Sequence, residues 1–428
     1  MRAIILSIGD ELVLGQTVDT NSAWLSQQLA AVGFAVAAHL TVADDQSAIE
    51  QAIEESVGRC DVLLISGGIG PTEDDLTRQA LAAVMNVPLE LNEKWLAQLQ
   101  KFFQRVGRPM PEGNKIQAMI PRGAAMIFNH AGTAAGIDAS YASGDQKTIC
   151  RVFVMPGVPK EMKAMFTRDV LPHVSKMGGG AVILSRTLHT FGLGESAVAE
   201  KLGPQMMRGR NPSVGTTVSG GVVSVRINAS YPSREEASRQ LEATESACRA
   251  ALGDLVYGAD DDTLQSVVAR LLLDHPTAKR WSPAVATAES CTGGLLAKML
   301  TDVPGSSAYF RQGYVTYSNE AKTDLLNVPA DLIAKNGAVS EPVAVAMATG
   351  TQTQSGAAYA LAITGIAGPG GGTPAKPVGM VCIALAHDAG SQVRTFNFPG
   401  DREMIRDRSA KMALTMLRFH LLGKKLPF

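Results

Sequence analysis

The sequence predicts an α/β protein made of two or three domains. Its 428 residues exceed the length of one ordinary domain, and 46% of them are hydrophobic against 18% charged, which suits a globular protein with sizeable cores. Short apolar runs alternate with longer amphipathic runs, a pattern typical of βαβ units and mainly parallel sheets. Glycine-rich turns follow several apolar runs, at the strand ends where such sheets bind their ligands.

The composition excludes several classes of function. A formal net charge of −1 leaves no electrostatic footprint for nucleic acid or an anionic membrane, so neither is an expected partner. No apolar run approaches the ~20 residues of a membrane span, and residues 1–8 look like a first strand rather than a signal peptide. The five cysteines are scattered, with no pair at zinc or redox spacing. We therefore expect a cytoplasmic protein without disulfides or a structural zinc site.

The N-terminal part of the chain is predicted to alternate between strands and helices. Strands are expected at 4–8, 36–42 and 61–66, and helices at 21–28, 47–57 and 76–85. Asn21 is the expected cap of the first helix, and Gly33 is expected to end it. Helices of this length between the strands indicate a mainly parallel sheet.

A glycine-rich loop after the third strand is the first candidate site. Three glycines within four positions let backbone N–H groups approach a phosphate closely, and two carboxylates directly behind them suggest a bridging divalent cation. A second acidic pair follows the first strand and is expected at the same sheet edge. The glycines are Gly67, Gly68 and Gly70, and the acidic pairs are Asp74 with Asp75 and Asp10 with Glu11. The alternative is a glycine-rich turn before a helix capped by a carboxylate.

From about residue 178 a small α+β module is expected. Its strands are predicted at 181–190 and 222–229, with a short helix opening at 192–196 and a long helix at 234–251. One class of small RNA-binding module clamps the RNA backbone with a Gly-x-x-Gly loop, and no basic segment of that kind is evident. The pattern therefore favours a structural spacer or a dimerisation element.

The remaining residues predict a second α/β domain. A linker with a helix cap is expected at 258–263, a helix at 264–273 and a polar loop at 276–283. Strands are expected at 284–288, 310–317, 357–363, 378–386 and 393–398, followed by a closing helix at 401–422. Glycine-rich loops after two separate buried strands predict that both loops contact one ligand.

The turn at 289–294, Glu-Ser-Cys-Thr-Gly-Gly, is the second candidate site. A helix N-terminus presents N–H groups that suit an oxyanion or a phosphate, and Ser290 is the candidate nucleophile. No histidine is placed to serve as its base, and the turn lacks the Gly-x-Ser-x-Gly pattern. Lys322, beside Tyr317, can act instead if burial lowers its pKa. The alternatives are that Ser290 or Thr292 caps the helix, that Lys322 is an exposed helix lysine, and that Cys291 is a core residue or the nucleophile.

These motifs resemble those of known families. Gly-Gly-Ile-Gly-Pro-Thr-Glu-Asp-Asp-Leu-Thr at 67–77 is similar to the signature loop of molybdopterin-binding domains of the MoaB/MogA type. With the segments 113–118, 129–133 and 155–162 it resembles the N-terminal half of the CinA family of competence/damage-inducible proteins. The segments 288–294, 315–322 and 363–369 closely resemble the C-terminal domain of that family. The resemblance implies a MoaB/MogA-like domain at 1–174, a KH-like domain at 175–258 and a CinA-type α/β domain at 259–428.

The resemblance also implies two reactions. The C-terminal domain would deamidate nicotinamide mononucleotide without a cofactor, with Ser290 as nucleophile, Lys322 as base, and three polar partners, Tyr317, Ser307 and Thr364. The turn residues Thr292, Gly293 and Gly294 would bind the substrate, whose ribose phosphate would lie near Gly368, Gly370, Arg402 and Arg406. The N-terminal domain would hydrolyse ADP-ribose with a divalent metal held by Asp10, Glu11, Asp74 and Asp75, and its phosphates would lie on Gly67, Gly68, Gly70 and Thr72.

The resemblance leaves other possibilities open. The family usually has Gly-Thr-Ala-Pro-Gly where residues 132–136 read Gly-Thr-Ala-Ala-Gly, so a proline that stiffens this loop is missing. The N-terminal domain could instead be a pterin-binding transferase of molybdenum-cofactor synthesis, or the protein a non-catalytic competence or DNA-damage factor. The expected assembly is a homodimer.

Overall fold

The computed structural model describes residues 1–142, 149–178, 182–274 and 284–428. These residues form two compact units: the first joins Met1–Leu184 with Ala229–Leu241, and the second joins Ser185–Asn228 with Glu242–Phe428. The predicted middle domain, 175–258, thus contributes residues to both units, and the predicted limits at 174 and 258 stay predictions. Within the described residues, no helix combines the length and apolar character needed to cross a bilayer.

The first unit is built on a six-stranded sheet with the strand order β2-β1-β3-β8-β7-β6. The strands of this unit are β1 (Arg2–Ile8), β2 (Ala35–Val42), β3 (Val62–Ser66), β4 (Leu89–Leu91), β5 (Met119–Pro121), β6 (Ala125–Ile127), β7 (Gly136–Ala142) and β8 (Ile149–Met155), of which β4 and β5 form a separate antiparallel pair. Strands β2, β1, β3 and β8 run parallel, and β7 and β6 continue the sheet antiparallel. The predicted parallel sheet is confirmed.

Helices cover both faces of this sheet. They are α1 (Asp10–Val13), α2 (Thr20–Ala31), α3 (Gln46–Val57), α4 (Thr77–Val84), α5 (Glu93–Arg105), α6 (Pro159–Met165) and α7 (Leu171–Met177), with a 3-10 helix at Glu112–Ala118 and a π-helical turn at Phe166–Val170. Helices α3 and α4 pack on one core and α2, α6 and α7 on the other. Because both faces are covered, β3 is buried at every residue, and this explains its continuous apolar run.

The cap predicted for α2 is wrong by two residues. Asp19 accepts the N–H of Ser22 and caps the helix. Asn21 instead lies inside the first turn, where its amide donates to Ser66 Oγ (2.9 Å) and to the Gly157 carbonyl (2.8 Å). The side chain therefore ties α2 to the ends of β3 and β8.

The middle of the chain forms a four-stranded sheet with the order β10-β11-β9-β12. Its elements are β9 (Val182–Phe191), α8 (Glu195–Leu202), β10 (Ser213–Ser219), β11 (Val222–Tyr231), α9 (Arg234–Leu252) and β12 (Val256–Ala259). The predicted linker at 258–263 is partly wrong, because Gly258 and Ala259 belong to β12 and pair with β9. Its predicted cap is confirmed: Thr263 and Ser266 exchange hydrogen bonds between side chain and backbone N–H.

The last sheet has five strands in the order β14-β13-β15-β16-β17. The elements are α10 (Leu264–Asp274), β13 (Val285–Glu289), α11 (Leu295–Thr301), β14 (Phe310–Val315), α12 (Asn319–Leu326), α13 (Ala330–Asn336), α14 (Glu341–Ser355), β15 (Tyr359–Gly365), β16 (Met380–His387), β17 (Gly390–Asn397) and α15 (Arg402–Leu421). The strand β13 runs parallel to β14 and β15, so the carboxyl ends of these three strands meet at one edge. The loop predicted at 276–283 lies outside the described residues.

Helices cover both faces of this sheet as well. Helices α10, α11 and α15 pack on one face, and α12, α13 and α14 on the other. The long α15 is fixed at its C-terminal end by Arg418, which is 6% exposed and donates to the carbonyls of Asp254 (2.8 Å) and Val256 (2.8 Å). Burial lowers the pKa of this guanidinium.

Candidate active sites

The structure brings the predicted nucleophile and base together. Lys322 is 1% exposed, and its Nζ lies 3.2 Å from Ser290 Oγ. It also donates to the carbonyls of Thr316 (2.9 Å), Tyr317 (3.4 Å) and Ser318 (3.3 Å). Burial lowers the pKa of Lys322, although Cys291 and Glu320 act in the opposite direction. The alternative of an exposed helix lysine is therefore wrong.

Local sequence explains this placement. Ser318 accepts the N–H of Ala321 (3.1 Å) and starts α12 directly after β14. Lys322 lies in the first turn of α12, so its side chain reaches back to the strand end where Ser290 follows β13. The parallel pairing of Glu289 with Val315 sets the two strand ends side by side.

The N-terminus of α11 is occupied by a buried side chain. Glu289 is 1% exposed, and its carboxylate accepts the N–H groups of Gly294 (3.1 Å), Leu296 (2.9 Å) and Ala297 (2.8 Å). Glu289 therefore caps α11, and the expectation that Ser290 or Thr292 could cap it is wrong. This role of Glu289 was not predicted, although a carboxylate just before a helix is a known capping signal.

This cap changes the expected substrate contacts of the turn. The N–H of Gly294 is bound to Glu289, and that of Gly293 donates to the Ser290 carbonyl (3.1 Å). Neither glycine N–H can therefore serve an oxyanion as predicted. Their contribution is conformational, because Gly293 and Gly294 have φ of 59° and 94°. The hydrogen bonds of the described residues leave the N–H groups of Cys291 and Thr292 for a ligand.

Cys291 has the properties of a core residue. It packs in the main hydrophobic core of the second unit. Burial raises the pKa of its thiol to about 12, even though Arg406 and Arg402 favour the thiolate. Because the thiolate is the nucleophilic form, this residue is a poor nucleophile at neutral pH.

The first turns of α15 place two arginines at the same strand ends. Arg402 donates to the Gly368 carbonyl (2.7 Å) and to Tyr317 Oη (3.1 Å). Arg406 donates to the Thr292 carbonyl (2.7 Å). The glycine loop after β15 and the Ser290 turn lie at the same edge of the sheet, and the two arginines contact them there. That both loops contact one ligand stays a prediction.

Two predicted polar partners are placed differently from expectation. The Thr364 hydroxyl donates to the Ala338 carbonyl (2.8 Å) and holds the loop between α13 and α14 rather than extending a proton relay. Ser307 precedes β14, whereas Ser290 and Thr316 follow β13 and β14. Since β13 and β14 are parallel, Ser307 lies at the opposite edge of the sheet and does not reach Ser290 within one chain. Gly370, which was predicted to lie near the ribose phosphate, has no other atom within 4 Å of the position that a Cβ would occupy.

A cavity of about 610 Å³ lies at the carboxyl ends of β1, β3 and β8 in the first unit. Its lining includes six carboxylates and no lysine, arginine or histidine. The carboxylates are Glu11, Asp19, Asp44, Asp74, Asp75 and Glu161. The predicted glycine loop forms one wall, with Gly67, Gly68, Gly70 and Thr72.

The conformation of the glycine loop requires glycine at two positions, and a buried arginine stabilises the loop through hydrogen bonds. Gly67 and Gly68 have φ of 111° and 65°, and a Cβ at Gly68 would lie 2.1 Å from Thr77 Oγ1. The fully buried Arg78 donates to the carbonyls of Ile69 and Gly70. Burial lowers the pKa of Arg78 to about 10, against the effect of Asp75. No sequence motif indicates this arginine, which follows the loop in α4.

Two of the four carboxylates predicted as metal ligands make hydrogen bonds that shape the loops. Asp75 accepts the N–H groups of Gly70 (2.6 Å) and Thr72 (2.9 Å) and the Thr72 hydroxyl, so it shapes the loop. Asp10 and Asp44 each accept the other's backbone N–H (3.1 Å and 2.9 Å). Among the described residues, no group of three or more His, Cys, Asp or Glu side chains could hold a metal by itself. The assignment of Asp10, Glu11, Asp74 and Asp75 to a metal therefore stays a prediction, and such an ion would need further ligands from substrate or water.

Asp44 is an acidic residue of the cavity that no sequence motif indicates. It lines the cavity, and burial raises the pKa of its carboxyl group, with Asp10, Asp74 and Glu11 adding to the effect.

Ala135 occupies the position at which the family usually has a proline. Its side chain is buried in a small core with Trp95.

Comparison with known proteins gives three family matches along the chain. They are "Probable molybdopterin binding domain" over residues 4–176, "Damage-inducible protein CinA KH domain" over 185–258 and "CinA C-terminal domain" over 265–421. The chain is thus an α/β protein that joins a molybdopterin-binding type of domain, a KH domain and a CinA C-terminal domain.

Relatives match over the full length. The chain is 43% identical to a CinA-like protein of Frankia casuarinae over 99% of this chain and 97% of that protein. It is 42% identical to a CinA-like protein of Geobacter sulfurreducens over 99% and 100% of the two chains. A crystal structure of competence/damage inducible protein CihA from Agrobacterium tumefaciens is 40% identical and covers 37% of this chain and 95% of its own, with a TM-score of 0.35. The chain belongs to the CinA family.

Proposed function

We propose that the second unit hydrolyses the carboxamide of nicotinamide mononucleotide to give nicotinic acid mononucleotide and ammonia. The observation that carries this proposal is the 3.2 Å contact between Ser290 Oγ and the buried amine of Lys322. In such a pair the serine hydroxyl is the nucleophile and the neutral lysine amine is its general base. Because burial lowers the pKa of Lys322, a larger fraction of its amine is neutral at a given pH.

The steps follow from this pair. Ser290 Oγ attacks the amide carbon while Lys322 accepts its proton. The tetrahedral intermediate collapses with proton transfer from Lys322 to the amide nitrogen, and ammonia leaves. Water then attacks the acyl-serine, with Lys322 as base, and releases the carboxylic acid and the free serine. The N–H groups of Cys291 and Thr292 would stabilise the oxyanion, and one such donor contributes about 3–4 kcal/mol.

Substrate recognition is supported by charge. The mononucleotide carries a phosphate, and Arg402 and Arg406 bring two guanidinium groups to the edge of the sheet where Ser290 lies. Charge-assisted hydrogen bonds from arginine to phosphate are stronger than neutral ones. We infer that these arginines and the glycine loop at Gly368 hold the ribose phosphate.

Replacement of the serine tests the chemistry. Ser290→Ala should abolish ammonia release from nicotinamide mononucleotide, since no acyl-enzyme can form, whereas Cys291→Ala should retain activity because its thiol stays protonated. Both are measured with a coupled ammonia assay, and circular dichroism verifies the fold. Full activity of Ser290→Ala would overturn the serine mechanism, and loss of activity in Cys291→Ala alone would assign the nucleophile to the cysteine.

We further propose that the first unit hydrolyses ADP-ribose to AMP and ribose 5-phosphate with a divalent metal. A pyrophosphate would be repelled by a cavity lined with six carboxylates and no cationic side chain, unless a cation lay between them. Carboxylates are the ligands that Mg²⁺ and similar ions prefer. Since no three carboxylates of the described residues form a ligand group by themselves, one or two of Asp10, Glu11, Asp44 and Asp74 would hold it, with the remaining ligands from pyrophosphate and water. When bound, such an ion polarises the phosphoryl group and lowers the pKa of water.

Chelation separates the two reactions. Removing divalent metal with EDTA should abolish AMP formation from ADP-ribose, and adding Mg²⁺ or Mn²⁺ back should restore it. Ammonia release from nicotinamide mononucleotide should be unaffected, because its proposed chemistry uses only serine and lysine. Chromatography measures the nucleotide products. AMP formation that persists without metal would contradict this proposal.

The molybdopterin-binding family match favours one alternative for the first unit. The same cavity could bind a pterin in a transferase of molybdenum-cofactor synthesis. Adenylation of molybdopterin by the protein, in the absence of ADP-ribose turnover, would identify that reaction.

A further inference from the structure

A second cavity in the first unit takes part in neither proposed reaction. It has a volume of about 510 Å³ and lies between α5 and the loop at 129–132. The loop separates it from the first cavity: Asn129 lines the second cavity and donates to Glu161, which lines the first. The two cavities are therefore neighbours with a common wall.

The charges of the two cavities are opposite. The second cavity has Lys101 and Arg105, one turn apart on α5, and His130 on the facing loop, with no carboxylate in its lining. The guanidinium of Arg105 lies over the Phe102 ring at 5.7 Å from its centroid. A ligand in this cavity would meet the positive charges of the exposed Lys101 and Arg105 and no carboxylate of the lining, since Glu161 lies behind the wall formed by Asn129.

The hydrogen-bonding groups of the wall also favour an acceptor. Trp95 is 3% exposed, stacks on Phe128, and has an indole N–H with no partner among the described residues. Indole is only a donor, and a buried donor without a partner is unfavourable. The Asn129 oxygen is already used, because it accepts the N–H groups of Ala131 (2.9 Å) and Gly132 (3.0 Å).

We propose that this cavity binds a small phosphate-bearing anion. Lys101 and Arg105 supply the charge, Trp95 adds a donor in the wall, and the half-buried Phe102 offers an aromatic face. The phosphate could be inorganic phosphate or the 5′-phosphate of a nucleotide, and the two sources differ in whether a base is present to stack. This site is independent of the ADP-ribose reaction, since it uses none of that cavity's carboxylates.

Tryptophan fluorescence can test the site directly. The chain has three tryptophans, so Trp24→Phe with Trp281→Phe leaves Trp95 as the only indole in the full-length protein. Inorganic phosphate and AMP are titrated separately at low ionic strength in EDTA, where metal-dependent hydrolysis cannot contribute. We expect a saturable change in Trp95 emission that weakens as salt is added.

Two further variants locate the binding. Lys101→Ala with Arg105→Ala should weaken binding by about tenfold or more, as expected for the loss of two charge-assisted contacts. Lys94→Ala removes an exposed lysine of the same helix outside the cavity and should leave binding unchanged. Circular dichroism of each variant verifies the fold.

The outcomes are distinct. Equal affinity for phosphate and AMP would show that the phosphate carries the binding, and tighter binding of AMP would add a stacking contact at Phe102; both support the site. No saturable change up to about 10 mM of either probe would overturn the proposal. Equal loss in Lys94→Ala and in the double variant would overturn it too.

Discussion

At the scale of single residues, Lys322 has an unusual environment for a charged group. Its amine contacts a serine hydroxyl and three backbone carbonyls, and no carboxylate among the described residues hydrogen-bonds to it. A buried ammonium without a paired negative charge is costly, and this desolvation lowers the pKa of the lysine. The same burial that costs stability thus favours the neutral base.

The pH dependence of ammonia release should report this lysine. Its lowered pKa lies below the ordinary 10.5, so kcat/KM should rise with pH as the amine loses its proton and level off above the lowered pKa. Lys322→Met keeps the side-chain length but removes the base, and should lower kcat/KM by about 10²–10⁴-fold and abolish this limb.

An exposed lysine supplies the control for that profile. Lys298→Met in α11 should retain the wild-type rate and pH profile, because Lys298 pairs with Asp302 at the surface. An unchanged pH limb in Lys322→Met would show that another group is the base.

The prediction that Ser290 and Lys322 are neighbours was correct. The residues that hold the loops of the first cavity, Arg78 and Asp44, were not predicted. Arg78 and Asp44 act through contacts between segments that are distant along the chain or through burial, and neither leaves a local pattern. Ser307 was expected near Ser290, and the strand direction could have excluded it: a residue before a parallel strand lies at the edge opposite to the ligand.

At the scale of elements, α11 depends on an unusual cap. This seven-residue helix begins after two glycines with positive φ, and its N–H groups are satisfied by Glu289 from the end of β13. A helix so short has little stability of its own. Glu289 therefore fixes both the helix and the turn that carries Ser290.

Glu289→Gln should weaken this element. The amide has one acceptor oxygen, and its NH₂ would face a backbone N–H, so we expect a loss of about 1–3 kcal/mol in the free energy of unfolding and a lower kcat. Urea denaturation measures the first and the ammonia assay the second. Glu403→Gln, exposed in the first turn of α15, is the control and should change neither. Equal stability of the two variants would contradict the role of Glu289.

Element positions were easier to predict than their caps. The runs that became β1 and β3 are buried on both faces of a parallel sheet, so their composition alone marks them as strands. The Asn21 cap failed because Asp19, Asn21 and Ser22 are all plausible capping residues. Only the tertiary contacts of Asn21 with Ser66 and Gly157 distinguish them.

At the scale of the whole molecule, each candidate active site is built within one unit. The dyad of Ser290 and Lys322 belongs to the second unit, and the glycine loop belongs to the first. The two reactions should therefore be separable by substitution.

Gly68→Ala tests this separation. The new Cβ would clash with Thr77 Oγ1 at 2.1 Å and a φ of 65° would be strained, so the loop must shift. We expect AMP formation from ADP-ribose to fall about a hundredfold while ammonia release from nicotinamide mononucleotide is retained. Gly58→Ala has open space and a negative φ of −77°, and both activities should persist. A parallel loss of both reactions in Gly68→Ala would show that the sites depend on each other.

The anchoring of α15 has a consequence for dissecting the protein. A fragment cut at the predicted limit, residues 259–428, would keep Arg418 but lose the carbonyls of Asp254 and Val256 that it binds. An unpaired guanidinium is tolerated only if it becomes hydrated, so the fragment would have to open the far end of the helix whose first turns carry Arg402 and Arg406. A truncation that starts at residue 185 retains these acceptors, so the proposed deamidase residues would keep the anchored helix that a fragment starting at 259 loses.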